Sequence, residues 1–93
     1  MWQILEHKRL DRRFSALPLE ILKRYEKWKD IVSISGPVGL REIRGFNDEA
    51  LLGRWKGCRS SRLGLKYRLI YVVEANRVLV KVLDITSHDY RKR

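Results

Sequence analysis

The stretch of sequence that decides the fold is Tyr67-Arg68-Leu69-Ile70-Tyr71-Val72-Val73. Its β-branched and aromatic residues favour an extended strand, and the nearly continuous apolar run is typical of a strand buried on both faces. We therefore predict a central strand over residues 67–73. Arg68 is the one charge in this run, and a buried charge is costly unless it is paired or faces a functional site.

Two further strands are predicted to flank the central one. Residues 78–85 are again rich in valine and leucine, and residues 74–77 supply a turn in which Asn76 can adopt a left-handed conformation. Before the central strand, residues 57–63 form a polar, basic strand that ends at a hairpin turn around Gly64. Strands joined by such short connections pair antiparallel, so we expect a three-stranded meander.

The first 35 residues predict one strand and two helices. A short apolar run at 2–6 suits a strand, and residues 7–16 have helical spacing. Pro18 separates this helix from a second one, since proline fits the first turn of a helix and disfavours helical geometry in the residue before it. The second helix should run from about 18 to 34 and end at Gly36-Pro37. Its apolar face consists of Ile21, Leu22, Tyr25, Trp28 and Val32.

Residues 36–54 hold four glycines and a proline and predict loops, with a short strand or turn around 40–43. The apolar side chains among them need burial, so this stretch is not a linker. The 93 residues suffice for one domain. We expect a single α+β domain over residues 1–93, in which strand–helix–helix is followed by the three-stranded antiparallel meander. Both helices pack on one sheet face and leave the other face open.

Positive charge is concentrated in the second half of the chain. The net charge is +10, with 21 Lys and Arg against 11 Asp and Glu, and residues 51–93 carry +8 of it. Such a field attracts a polyanion, either nucleic acid or an acidic protein. The alternative is a basic protein that is merely soluble.

Composition also argues against several classes of protein. Cys58 is the only cysteine, so the fold does not depend on a disulfide, and we interpret Cys58 as half-buried in a strand rather than as a reactive thiol. Two histidines and one cysteine do not make the usual structural zinc site. No apolar run is long enough for a signal peptide or a membrane span. We expect a cytoplasmic protein with no cofactor, metal or membrane partner.

A set of polar side chains is predicted to converge on the open face of the sheet. It consists of Arg68, Arg62, His88, Asp89 and Tyr90. Cleavage of RNA requires a 2′-hydroxyl to lose a proton, the phosphorane to be neutralised and the 5′-oxygen to gain a proton. Guanidinium groups bind phosphate, and imidazole exchanges protons near neutral pH. The basic residues expected to bind the RNA backbone are Lys56, Arg59, Lys66, Lys81 and Arg91.

Simpler interpretations exist for each member of this set. Arg68 could pair with a carboxylate, Glu49 or Asp84. The strand arginines before it could be edge charges that prevent aggregation. Residues 88–90 could be a solvated tail. Trp28 and Trp55 are interpreted as core residues rather than as platforms for bases.

The motifs occur in an order shared with one family. They are Leu51-Leu52-Gly53-Arg54-Trp55, Arg59-Ser60-Ser61-Arg62-Leu63, Tyr67-Arg68-Leu69-Ile70-Tyr71 and His88-Asp89-Tyr90. In this order they resemble the RelE/ParE superfamily of toxins from bacterial type II toxin–antitoxin systems, and most closely its HigB-like and RelE-like branch.

The resemblance implies a ribosome-dependent mRNA interferase, which cuts mRNA in the ribosomal A site, and a cognate antitoxin, often a helix-turn-helix DNA-binding protein. It implies catalytic roles for Arg68, Arg62 and residues 88–90, without deciding whether His88 or Asp89 is the base. Lys56 and Arg59 are looser matches to RNA-binding lysines. A ParE-type inhibitor of DNA gyrase without nuclease activity is the alternative, and the presence of Arg68 together with residues 88–90 favours the nuclease.

Overall fold

The computed structural model describes residues 1–87, and within them five strands form one sheet with two α-helices packed against it. The strands are β1 (Gln3–Glu6), β2 (Glu49–Ala50), β3 (Arg59–Arg62), β4 (Arg68–Glu74) and β5 (Leu79–Thr86), in the spatial order β1-β5-β4-β3-β2. The helices are α1 (Asp11–Ser15) and α2 (Leu19–Ser35). Short 3-10 turns lie at Lys8–Leu10, Pro37–Glu42, Arg44–Phe46, Gly53–Trp55 and Ala75–Arg77.

The predicted meander and the α+β class are confirmed. β3, β4 and β5 pair antiparallel, and β4 lies in the middle of the sheet. β1 joins parallel to β5, with Ile4 opposite Val80. A bulge interrupts the β4–β5 pairing between Ile70 and Tyr71.

Local conformation differs from the prediction in two places. Residues 40–42 lie in a 3-10 turn, which is one of the two predicted alternatives, but the glycine-rich stretch also holds a short strand that was not predicted, β2 at residues 49–50. β2 is only two residues long and exists through its pairing with β3, so no local pattern predicts it. In the β4–β5 connection the left-handed residue is Val78, with φ 51°, and not Asn76. The 3-10 turn carries Asn76 in its middle and closes one residue beyond Arg77, where the Val78 N–H donates to Ala75 O.

α2 carries the apolar face that its sequence predicts. Its buried residues are Ile21, Tyr25, Trp28 and Val32. Within residues 1–87, no helix is long and apolar enough to cross a membrane. The helix ends at Gly36, whose N–H donates to Val32 O and whose φ is 77°. A Cβ at this position would also lie 2.6 Å from the indole nitrogen of Trp2, so glycine is required for both backbone and space.

The main core lies between the sheet and α2. Trp28 is completely buried, stacks with Tyr25 and meets the Tyr71 ring edge-on at 5.2 Å between centroids. A smaller cluster on the opposite sheet face joins Leu51 and Ile70 to partly buried Trp55, Cys58 and Leu83. Residues 68–71 of β4 are therefore buried on both faces, as the apolar run predicts, and residues 72–74 are half-buried. Contrary to the prediction, the face away from the helices is partly covered by this cluster. We call it the open face because neither α-helix contributes to the cluster.

Truncating the central aromatic residue tests this core. We expect Trp28→Ala to cost about 3–5 kcal/mol of unfolding free energy, most of what a small domain has, so that the variant aggregates or loses its cooperative transition. Trp28→Phe, which keeps a ring but removes the N–H donor, should lose clearly less. Urea unfolding followed by tryptophan-independent circular dichroism measures both, and a normal two-state transition for Trp28→Ala would contradict the assignment.

Candidate functional site

Two arginines lie side by side on the sheet face opposite the helices. Ile70 belongs to the cluster on that face, and side chains alternate along a strand, so Arg68 shares the face with Ile70. On β3, Ser61 faces the helices, because its Oγ accepts a hydrogen bond from Trp28 Nε1 at 2.9 Å. Its neighbour Arg62 therefore faces the open side. In the β3–β4 register Arg62 is directly opposite Arg68.

Arg68 is buried but incompletely paired. It is 6% exposed, and its Nη1 lies 3.6 Å from Glu49 Oε2, which is an ion pair but too long for a hydrogen bond. That nitrogen has no hydrogen-bond partner among residues 1–87. The simpler interpretation, a pair with Glu49, thus describes part of the environment of Arg68, while Asp84 pairs with Arg13 instead.

Charge at this point of the sheet is unbalanced. Like charges directly opposite each other on neighbouring strands repel, and Arg62 and Arg68 have this arrangement. Glu49 is the one carboxylate ion-paired with Arg68 in the described part of the chain. The arrangement attracts an anion, and guanidinium groups match the oxygens of phosphate in particular.

Asp48 anchors the segment directly before β2, the strand that carries Glu49. The Asp48 side chain is completely buried and accepts hydrogen bonds from Arg59 Nε at 2.8 Å and Ser61 Oγ at 2.7 Å. The Tyr71 hydroxyl donates to the same carboxylate. These donors come from β3 and β4, so Asp48 fastens the loop to the helix side of the sheet while Glu49 faces the open side.

The buried Asp48 carboxylate contributes to a raised pKa at both Tyr71 and Arg59. Burial, followed by the hydrogen bond and charge of Asp48, raises the pKa of the Tyr71 hydroxyl, which therefore stays protonated and donates. Burial by itself would lower the pKa of Arg59, but the hydrogen bond and charge of Asp48 outweigh it, and the pKa lies above its ordinary value.

The structure separates two of the predicted RNA-binding residues from the arginine pair. Arg59 turns to the helix side and pairs with Asp48, and Lys81 pairs with Glu74 at 2.8 Å. Lys81 lies five residues before Thr86, the register partner of Arg68, which is roughly 15 Å along the strand. Lys56, after the Gly53–Trp55 turn, and Lys66, in the β3–β4 connection, are exposed.

The C-terminal candidates His88, Asp89, Tyr90 and Arg91 lie outside the described residues. The described chain ends one residue after Thr86, which is opposite Arg68 in the β4–β5 register. The last strand therefore leads to the arginine pair.

Sequence reasoning missed two features of this region. Asp48 is a single acidic residue in an irregular stretch, and nothing in its spacing indicates that it is buried. The contacts of the basic run at residues 8–13 with the last strand are the second feature, since Arg9 donates to Leu83 O at 2.9 Å and Arg13 to Ile85 O at 3.2 Å. Four basic residues among six were the available signal.

A cleft of about 470 Å³ lies between the start of α2 and the β3–β4 connection, lined by Pro18, Glu20, Ile21, Arg24, Leu63, Gly64, Leu65, Lys66 and Tyr67. Its lining contains neither Arg62 nor Arg68. Within residues 1–87 no three His, Cys, Asp or Glu side chains are grouped closely enough to hold a metal ion.

Comparison with known proteins adds evidence at the level of structure. No protein-family model matches the sequence, and no curated protein matches it significantly. Among solved structures, the chain is similar to a chain of the archaeal RelE–RelB complex from Pyrococcus horikoshii OT3, at 26% identity and a TM-score of 0.73, over 91% of this chain and 92% of that one.

Two further solved structures share the fold at lower identity. A chain of the heterotetrameric YoeB–YefM toxin–antitoxin complex from Staphylococcus aureus has 15% identity and a TM-score of 0.71, over 96% of this chain and 99% of that one. YafQ from Escherichia coli has 15% identity and a TM-score of 0.62, over 92% of each chain. The RelE-like fold thus extends over nearly the whole chain.

Removing the negative charge of Asp48 tests its part in holding the site together. We expect Asp48→Asn to cost about 2–4 kcal/mol, because Arg59 is left without its partner and the amide cannot accept all the hydrogen bonds. Chemical unfolding gives the difference. Asp30→Asn, at an exposed position of α2, removes the same charge and should stay within about 0.5 kcal/mol of the original. Equal losses in the two variants would show that Asp48 is not an anchor.

Proposed function

On the premise that the chain is a RelE/ParE-like toxin, which its fold and its likeness to the archaeal complex support, we propose that it is the toxin of a type II toxin–antitoxin system. Its activity is endonucleolytic cleavage of mRNA on the ribosome, by acid and base catalysis that uses no metal. The observation that carries this proposal is the buried, incompletely paired Arg68 opposite Arg62 on the open face of the sheet.

The arginines supply the electrostatic part of this chemistry. When a 2′-hydroxyl attacks the adjacent phosphorus, negative charge grows on the non-bridging oxygens. A guanidinium that is already desolvated and held in place stabilises that charge without reorganising at the moment of reaction. Arg68 lies on β4 between β3 and β5 and is buried, and Arg62 lies opposite it on β3.

Proton transfer is assigned to the C-terminal residues. In the proposal His88 or Asp89 removes the proton from the 2′-hydroxyl, and the other side chains of residues 88–90 protonate the leaving 5′-oxygen or stack on a base. Their position in the sequence supports this, because β5 reaches the level of Arg68 at Thr86, two residues before His88.

The wider basic surface is proposed to contact the RNA backbone. The exposed Lys56 and Lys66 are suited to this, and Arg91 extends the set. Arg59 and Lys81 would contribute to the positive field rather than bind phosphate directly, since each already has a carboxylate partner. In this proposal the ribosome holds the mRNA against the arginine pair.

The proposed protein partner is a cognate antitoxin of helix-turn-helix type, in the cytoplasm. Similar chains occur in complexes named RelE–RelB and YoeB–YefM. A reading frame for a short protein beside this gene, whose co-expression restores growth of cells that express the toxin, is the expected finding. If the neighbouring frame does not relieve toxicity, the assignment to a two-gene system fails.

Replacing the buried arginine tests the nuclease directly. We expect Arg68→Ala to reduce cleavage of mRNA in the A site of programmed 70S ribosomes at least 100-fold, since one preorganised donor of this kind is worth about 10²–10³ in rate. Primer extension maps and quantifies the cuts. Arg77→Ala, in the exposed turn after β4, removes the same charge and should keep nearly full activity.

A gyrase assay separates the alternative. If the protein inhibits DNA supercoiling by gyrase while programmed ribosomes retain intact mRNA, the chain is a ParE-type toxin and the nuclease proposal is wrong.

A further inference from the structure

Trp55 lies on the open face of the sheet, in the connection between β2 and β3. The sequence alone favours a core position for it, but the structure buries it only in part, whereas Trp28 is completely buried. Its indole packs against the cluster formed by Leu51 and Ile70. A half-exposed indole supplies a large, flat apolar surface that a planar ligand can cover.

Backbone hydrogen bonds fix the position of Trp55. Leu51 N–H donates to Cys58 O at 3.0 Å and closes the connection, and Cys58 N–H donates to Trp55 O at 2.9 Å. Gly53 and Gly57, on either side of Trp55, have φ of 65° and 96°, a left-handed backbone that favours glycine. A Cβ at either glycine would meet nothing within 4 Å, so the backbone conformation and not the space calls for glycine there. The indole is therefore presented by a preorganised turn.

Positive charge surrounds this indole. Arg54 and Lys56, its neighbours along the chain, are both exposed, and residues 50–58 include no acidic side chain. The arginine pair lies on the same face, because Ile70 of the cluster is two residues from Arg68, or about 7 Å along β4. An aromatic ring among cations is the arrangement with which proteins bind single-stranded RNA, since bases stack on the ring and phosphates approach the charges.

We propose that Trp55 is a stacking platform for one base of the bound RNA, and that it gives the site a preference for purines. The inference rests on the proposed function, because the arginine pair is taken to hold the phosphate next to that base. The base would cover the exposed part of the indole, and Arg54 and Lys56 would contact phosphates on either side of it. Purines have the larger ring surface, so they stack more strongly than pyrimidines.

Removing the bases from the probe tests the stacking. The probes are two fluorescent hexanucleotides of equal charge, one of 2′-O-methyladenosine, which lacks the nucleophile and stays intact, and one whose residues are all abasic. Anisotropy at fixed salt gives both affinities. We expect Trp55→Leu to weaken binding of the adenosine probe at least fivefold, since it removes one stacked base, and to change binding of the abasic probe less than twofold.

Trp2→Leu is the matched control. Trp2 is also half-buried, but it packs against the main core on the helix side of the sheet, so its variant should bind both probes within twofold of the original protein. Trp55→Phe keeps a smaller ring and disturbs the packing least, and it should lose about two- to threefold on the adenosine probe only. Melting temperatures separate binding from stability. An equal loss on both probes, or a loss that Trp2→Leu shares, would overturn the platform.

A second pair of probes tests the preference for purines. The original protein should bind the adenosine hexanucleotide about threefold more tightly than its 2′-O-methyluridine counterpart, and Trp55→Leu should bring this ratio close to one. A ratio that Trp55→Leu leaves unchanged would overturn the role of Trp55 in base preference.

The failure of this inference can be told apart from that of the proposed function. If Arg68→Ala weakens binding of the adenosine and abasic probes and Trp55→Leu affects neither, the platform is wrong and the proposed RNA substrate stands. If Arg68→Ala binds both probes as tightly as the original protein, the open face is not the RNA site, and both proposals fall together.

Discussion

The buried carboxylate of Asp48 joins the segment before β2 to strands β3 and β4. Asp48 accepts hydrogen bonds from Arg59 and Ser61 on β3 and from Tyr71 on β4, and Ser61 in turn accepts one from Trp28 of α2. Burying a charge is unfavourable unless donors surround it, and here they come from two strands at once. Because Asp48 must face these donors, the next residue faces the other way. The position of Glu49 beside Arg68 is a consequence of that alternation.

The two faces of the sheet therefore have different roles. On the helix side, Trp28, Tyr25 and Tyr71 pack together and the polar groups among them are satisfied. On the other side, two arginines stand opposite each other and donors remain unused. Such a site opposes folding, and a small domain can carry it only because the opposite face is well packed. Neighbouring residues of a single strand thus serve stability on one face and the proposed anion binding on the other.

How far the chain could be understood from its sequence depended on the range of the interactions. The apolar run of β4 and the face of α2 are local patterns, and both predictions are confirmed. β2 and the network around Asp48 were not predictable, because they join residues nine or more positions apart through a few contacts. Arg59 illustrates the limit. Arg59 and Arg62 are basic residues of the same predicted strand, yet Arg59 is neutralised by a buried carboxylate and Arg62 lies opposite Arg68.

By itself the sequence determined that an arginine lies within a strand buried on both faces, since seven consecutive β-forming residues with one charge allow little else. It also determined that the chain as a whole attracts anions, through its charge of +10. Only the tertiary structure decided which residues surround that arginine. Glu49 rather than Asp84 became its partner, and Arg62 its neighbour, because strand register and the anchoring of Asp48 set these distances. Register depends on contacts between distant segments, and those exist only once the sheet has formed.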